Sequence, residues 1–227
     1  MTGVQTCALP ISGSIPGTGA KFKNMLKDII EIKNVFDNVN GIVTYAKNQK
    51  YYNQQEFVTE TNYSIPSSRK VYPRWQGHRT ELLHLINPNL FSYLCSTIIS
   101  KAIKESFNIK DNTYLPDVNY VISAFFHYMT EDDVFQKSWI HRDEEMLMSG
   151  VVYLTENAPK ENGTMFFDGI DGENFLSVDN EFNKLIMFNA HYPHSASNGF
   201  GKNVNDGRLT LVFFIEKIQF GKAISER

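Results

Sequence analysis

Trp139-Ile140-His141-Arg142-Asp143 is the stretch on which the reading of this sequence turns. In extended backbone successive side chains point to opposite faces, so His141 and Asp143 would project together while Arg142 points away. One short strand over Trp139 to Asp143 would then present an imidazole and a carboxylate side by side. A second imidazole from elsewhere would complete a face of three ligands and leave adjacent coordination positions open, an arrangement suited to Fe(II). Alone, the triplet carries little weight, since a chain of 227 residues with six histidines produces roughly 0.3 such matches by chance.

Three later segments add order and spacing. Asn183-Lys184-Leu185-Ile186-Met187-Phe188 has strand character, His191-Tyr192-Pro193-His194-Ser195 follows it, and Gly207-Arg208-Leu209-Thr210-Leu211-Val212-Phe213-Phe214 comes after both. His194 lies 194 − 143 = 51 residues after Asp143, and Arg208 lies 208 − 194 = 14 residues after His194. The sequence, a His-x-Asp pair, a distal His and then a basic residue, resembles that of the 2-oxoglutarate and Fe(II)-dependent oxygenases, particularly the prolyl-4-hydroxylase-like members. The resemblance covers roughly residues 27 to 218 and is most specific over 139 to 214.

That resemblance implies that His141, Asp143 and His194 hold Fe(II), with 2-oxoglutarate as cosubstrate, O2 as oxidant and ascorbate as an optional reductant. His194 is preferred to His191 as the distal ligand because a Pro-His-Ser segment often carries it in this family; His191 would orient substrate or support a ligand, or be an ordinary loop histidine. Arg208 could take the distal carboxylate of 2-oxoglutarate through two parallel hydrogen bonds. Thr210, two residues on and on the same strand face, could assist, and Tyr128 or Tyr120 could donate a further hydrogen bond. Arg-x-Thr resembles the Arg-x-Ser form of some branches, whereas collagen-type prolyl hydroxylases use Lys here. Asp143 favours hydroxylation over halogenation, because related halogenases leave that position open. The implied reaction is oxidative decarboxylation to succinate and CO2, coupled to hydroxylation of an unactivated C–H bond in a prolyl residue or a small metabolite. Phe214 stands where nucleic-acid demethylases carry a second Arg. Two rivals stay open: a jelly-roll binding module without catalysis, and a cupin-type metal enzyme that does not use 2-oxoglutarate.

The rest of the chain frames this site. Residues 1 to 12 resemble a translated sequencing adapter, and residues 1 to 20 together are expected to be a non-native or disordered leader. Residues 21 to 227 are expected to form one domain, given 42% hydrophobic and 13% aromatic content. No apolar run approaches the roughly 18 residues of a membrane span. Discounting Cys7 leaves Cys95 alone, which points to a reducing compartment and a cytoplasmic location. A net charge of −3 gives no general attraction to nucleic acid.

Ile29 to Phe36 reads as a strand, Asp37 as the N-cap of a helix running to Lys47, and Asn48 to Ser68 mainly as loop. Trp75 to Thr80 reads as a turn into a short helix capped by Thr80, with His78 and Arg79 as secondary substrate-contact candidates. Pro88 opens the clearest helix, in which Leu90, Phe91, Leu94, Cys95, Ile98, Ile99, Ala102 and Ile103 recur at helical spacing. Cys95, His84 and His127 read as structural. After Pro116 come strand-like runs over 120–128, 139–143, 148–154, 164–167, 184–188 and 208–215, with turns at Asn162-Gly163, Asp171-Gly172 and Asp206-Gly207. The expected fold class is α+β with a mainly β core, a double-stranded β-helix (jelly roll) buttressed by N-terminal helices.

Overall fold

A computed structural model describes residues 29–61, 75–106 and 118–220. The leader expected over residues 1 to 20 lies outside the described residues. Nine strands follow in chain order: β1 (Ile29–Ile32), β2 (His78–Arg79), β3 (Val118–Met129), β4 (Met148–Tyr153), β5 (Thr164–Phe167), β6 (Asn174–Val178), β7 (Leu185–Asn189), β8 (His194–Ala196) and β9 (Arg208–Phe220). Six form an antiparallel sheet in the order β1-β7-β4-β9-β3-β2, and three form a second sheet in the order β6-β5-β8. The two do not close into a barrel, but their crossing order is that of a jelly roll, with β4 and β7 in the large sheet and β5 and β8 opposite them.

Alternation along the long strands separates two environments. On β3 and β9 one face carries Tyr120, Ala124, Phe126, Leu209, Leu211 and Phe213, all buried in the larger apolar core. Helix α4 (Pro88–Ser106) lays Phe91, Leu94, Ile98 and Ile99 on that core. Each such burial contributes about 1.5–3 kcal/mol. The α4 start is set by Asn87, whose side-chain oxygen accepts from the Leu90 N–H at 3.0 Å, with Pro88 at the first helical position where no N–H is needed. Cys95 is buried within the same stripe. The opposite, inner face of the large sheet looks toward the small sheet, and there Tyr153, Ile186 and Phe188 meet Phe166 and Val178 in a smaller cluster.

Several expectations are corrected. The strand over Trp139 to Asp143 is a 3-10 turn (Lys137–Trp139) followed by His141 in a single bridge with His194. The chain crosses the end of the small sheet too briefly for a ladder, so pairing is confined to one residue. Part of the stretch read as loop is helix α2 (Gln54–Glu60), closed by a capping box in which Asn53 and Glu56 satisfy each other's backbone N–H groups. Trp75 to Thr80 leads into β2, and Thr80 does not cap a helix: its hydroxyl oxygen accepts from the Phe126 N–H. The helix that follows, α3 (Leu83–Ile86), has no side-chain cap. The first strand stops at Ile32, ahead of Asn34 at φ 52°, and Asn38 rather than Asp37 caps helix α1 (Val39–Lys47).

Candidate metal and cosubstrate site

The inner face of the large sheet bears a band of polar side chains. Register places Tyr153 of β4 opposite Thr210 of β9, Thr210 opposite His127 of β3, and His127 opposite Arg79 of β2. Arg208, two residues before Thr210, shares this face. At the other end of β4, Ser149 lies four residues, about 13 Å of strand, from Tyr153.

The ligand-bearing groups meet beside Ser149. Side-chain atoms of His141, Asp143 and His194 all lie within 4.8 Å of one another, as a metal ion would require. Their spacing rests on backbone: the His141 N–H donates to the His194 carbonyl at 3.1 Å and the His194 N–H to the His141 carbonyl at 3.0 Å. The Asp143 N–H donates to the Ala190 carbonyl at 2.9 Å. Each imidazole is also oriented, because His141 Nδ1 lies 2.8 Å from the Trp139 carbonyl and His194 Nδ1 2.8 Å from the Tyr192 carbonyl. A carbonyl only accepts, so each Nδ1 carries a proton and each Nε2 is the nitrogen whose lone pair a metal could take. Those lone pairs face the Asp143 carboxylate, His141 Nε2 at 3.6 Å from Oδ1 and His194 Nε2 at 3.4 Å from Oδ2. Both gaps exceed the roughly 2.7–2.9 Å of a charge-assisted hydrogen bond.

The two imidazoles differ in environment. The His194 side chain is 9% exposed and that of His141 is 53% exposed. Burial, reinforced by neighbouring His141 and opposed by Asp143, pulls the His194 pKa down to about 4. It is therefore neutral and able to ligate at ordinary pH. Trp139, whose carbonyl holds His141, meets Phe135 edge-on at 6.4 Å, and Phe135 stacks on Phe167 at 6.0 Å. This aromatic run pins the turn that delivers the first imidazole.

Arg208 is 2% exposed. Its Nε donates to the Asn162 carbonyl and its Nη2 to the Gly163 carbonyl, both at 2.9 Å, and the guanidinium lies 5.6 Å from the Tyr153 ring centre. Among the described residues no carboxylate forms an ion pair with it, and burial pushes its pKa below the usual value. A buried cation neutralised only by dipoles is costly, and an incoming carboxylate would relieve that cost. Tyr153 is wholly buried with its hydroxyl 2.8 Å from the Thr164 hydroxyl, and burial raises its pKa to about 12, so it remains a neutral donor.

No family model matches the sequence, and no curated protein matches it. Solved structures do match. A prolyl-4-hydroxylase from Pseudomonas putida is 15% identical with a TM-score of 0.51, covering 87% of this chain and 98% of its own. The mainly antiparallel β fold is shared with solved 2-oxoglutarate/Fe(II) oxygenases. SnoK, a non-heme α-ketoglutarate-dependent carbocyclase from nogalamycin biosynthesis, matches at 11% identity with a TM-score of 0.53, covering 94% of this chain and 91% of its own. EctD from S. alaskensis with bound Fe matches at 13% identity with a TM-score of 0.51, covering 95% of this chain and 84% of its own.

Within this oxygenase fold the sequence-derived residues divide. His141, Asp143 and His194 come together, and Arg208 and Thr210 share the inner face. His191 is exposed, with its N–H bonded to the Asn189 side chain, and stays outside the cluster. Tyr128 lies on the opposite face of β3 from His127, among Tyr51 at 4.9 Å and His78 at 4.9 Å, and so on the other face from Arg208. Tyr120 shares that helix-side face. The tyrosine that does stand beside Arg208 is Tyr153, passed over because a Val-Val-Tyr-Leu run reads as plain core. Its odd-numbered phase with Ser149 and Val151 was the available signal.

Proposed function

We propose that the protein is an Fe(II)- and 2-oxoglutarate-dependent dioxygenase that hydroxylates an unactivated C–H bond of a prolyl residue or a small metabolite. The observation that carries this reading is the buried Arg208 guanidinium, without a carboxylate partner among the described residues, on the face that also holds the His-Asp-His cluster. The donor set fits the metal: two neutral imidazole nitrogens and one carboxylate suit non-heme Fe(II) with open positions. When bound, Fe(II) supplies the oxygen chemistry that couples decarboxylation of 2-oxoglutarate to hydroxylation, with O2 as oxidant and ascorbate as an optional reductant. The chain's own part is positioning. His141, Asp143 and His194 hold the metal; Arg208 binds the distal carboxylate of the cosubstrate; Thr210 and Tyr153 hydroxyls lie beside it as donors. Tyr153 and Phe166 are fully buried in the apolar cluster between the two sheets. A prolyl-4-hydroxylase and a carbocyclase share this fold, so fold alone does not choose the substrate. The prolyl assignment rests on the sequence resemblance. No helix among the described residues is long and apolar enough to cross a membrane, and the lone buried Cys95 is in keeping with a cytoplasmic location.

Anaerobic titration of the Fe(II)-loaded protein with 2-oxoglutarate tests the proposal. Wild type should develop the visible metal-to-ligand charge-transfer band. Arg208→Met should still bind Fe(II) but need at least about thirtyfold more 2-oxoglutarate, since losing a buried charge partner costs about 2–5 kcal/mol. No band in wild type, or an identical titration of the variant, would replace this reading with the cupin-type or binding-module alternative.

A further inference from the structure

We infer that Ser149 is a positioning residue that holds the Asp143 carboxylate so that only one of its oxygens ligates the metal. The inference rests on the metal reading above and concerns how that ligand is presented. Ser149 is 2% exposed, on the inner face of β4, with Phe188 of β7 and Phe214 of β9 as its register partners on either side. Flanked by those rings, its hydroxyl donates to Asp143 Oδ2 at 2.6 Å. That length is typical of a hydrogen bond from a hydroxyl to an ionised carboxylate, among the stronger kinds. Oδ1, which lies 3.6 Å from His141 Nε2, is the oxygen left without this bond, whereas Oδ2, 3.4 Å from His194 Nε2, already accepts from Ser149.

The consequence is a count of coordination positions. With one oxygen bound, two imidazoles and a carboxylate occupy three of the six positions of an octahedral ion. Three remain, enough for a chelating 2-oxo acid and one further ligand. If both Asp143 oxygens bound, only two would remain, and the chelate would fill them. Rotation of the carboxylate into two-oxygen binding would draw Oδ2 away from the Ser149 hydroxyl, which is buried between Phe188 and Phe214 and would lose its partner, a costly change. Ser149 thereby keeps a position free without touching cosubstrate itself.

Co(II), which needs no protection from air, serves as the probe. Ser149→Ala removes one oxygen atom from a packed strand and leaves Asp143 Oδ2 without its donor, so the metal-free variant should still melt cooperatively but a few degrees below wild type. It should bind Co(II) about tenfold more weakly, as outer-shell changes around metal ligands do. Its visible Co(II) spectrum should differ from wild type, and the response of that spectrum to 2-oxoglutarate should be diminished. Ser149→Thr keeps the hydroxyl and should restore the wild-type spectrum. Equal Co(II) affinity and spectra in wild type and Ser149→Ala would overturn the proposal, as would Ala and Thr variants altered alike, which would mark a packing role. Wild-type protein that binds no Co(II) would instead bring down the metal reading, and this inference with it.

Discussion

At His194 the chemistry depends on backbone as much as on the imidazole. The residue exchanges both of its backbone hydrogen bonds with His141, the close antiparallel pairing in which facing residues stand about 5.5 Å apart. That bridge sets the distance between the two ring origins before any metal arrives, and the Tyr192 and Trp139 carbonyls then fix each ring's tautomer. His191, three residues earlier, has none of this: it sits exposed in the turn closed by the Tyr192 N–H to the Asn189 carbonyl at 3.0 Å. His194→Ala should therefore lose Fe(II) binding measured by anaerobic calorimetry, whereas His191→Ala should keep it within about threefold, a loss of under 1 kcal/mol. The reverse outcome would transfer the ligand role to His191.

Among the elements, the turn at Asn162 and Gly163 connects the cosubstrate cation to the small sheet. The Gly163 carbonyl accepts from Arg208 and also from the Ser197 N–H at 3.2 Å, so one peptide anchors β9 and the chain leaving β8 together. No side chain fits there, since a Cβ on Gly163 would lie 1.8 Å from the Val178 carbonyl oxygen. Gly163→Ala should accordingly destabilise by about 1–3 kcal/mol, as overpacking does, and also raise the 2-oxoglutarate requirement; a melting temperature and half-saturation equal to wild type would separate the turn from the site. The elements also show where sequence was legible. Asn162-Gly163 was readable as a turn because its residue types are those of turns, and β3, β4, β5, β7 and β9 because short runs of apolar, β-branched and aromatic residues read as strands, β4 and β7 being buried on both faces. The α4 stripe was legible from its helical spacing. What escaped was short or decided by tertiary contact: β8 has three residues and His141 one, too few for periodicity, and β6 is largely exposed and unpatterned. The capping box of α2 was present as Asn53-x-x-Glu56, but its polar surroundings resembled loop. The facing of Tyr128 was not legible, because the facing of a strand follows from its pairing, and β3 turns its even positions to the helices.

Taken whole, the molecule divides its interior between an apolar side, where α4 covers the large sheet, and a polar side that buries imidazoles and a guanidinium. The polar side makes stability depend on pH with a definite sign. His127 is half-buried on the inner face and its Nε2 is bonded to the Gln76 carbonyl; desolvation, aided by Arg208, holds its pKa near 4, against an ordinary value of 6.5. His194 is depressed to about 4 as well, with burial again the main cause. In an unfolded chain both rings would take up a proton as pH falls through about 6.5, while in the folded molecule they resist until about 4. The unfolded state thus binds more protons across this window, so stability rises with pH between about 4 and 6.5 and is fully present above it. For His127 a pKa near 4 in place of 6.5 makes stability at pH 4.5 lower by about 2–3 kcal/mol than at neutral pH. His127→Gln keeps an amide N–H to donate to Gln76 but cannot titrate. In the metal-free protein, its loss of unfolding free energy between pH 7.5 and pH 4.5, measured by urea denaturation, should be smaller than that of wild type by about 2–3 kcal/mol. An equal loss in both proteins would mean that His127 is already protonated in the folded state or never buried, and the polar side would then owe its acid sensitivity to His194 and the carboxylates alone.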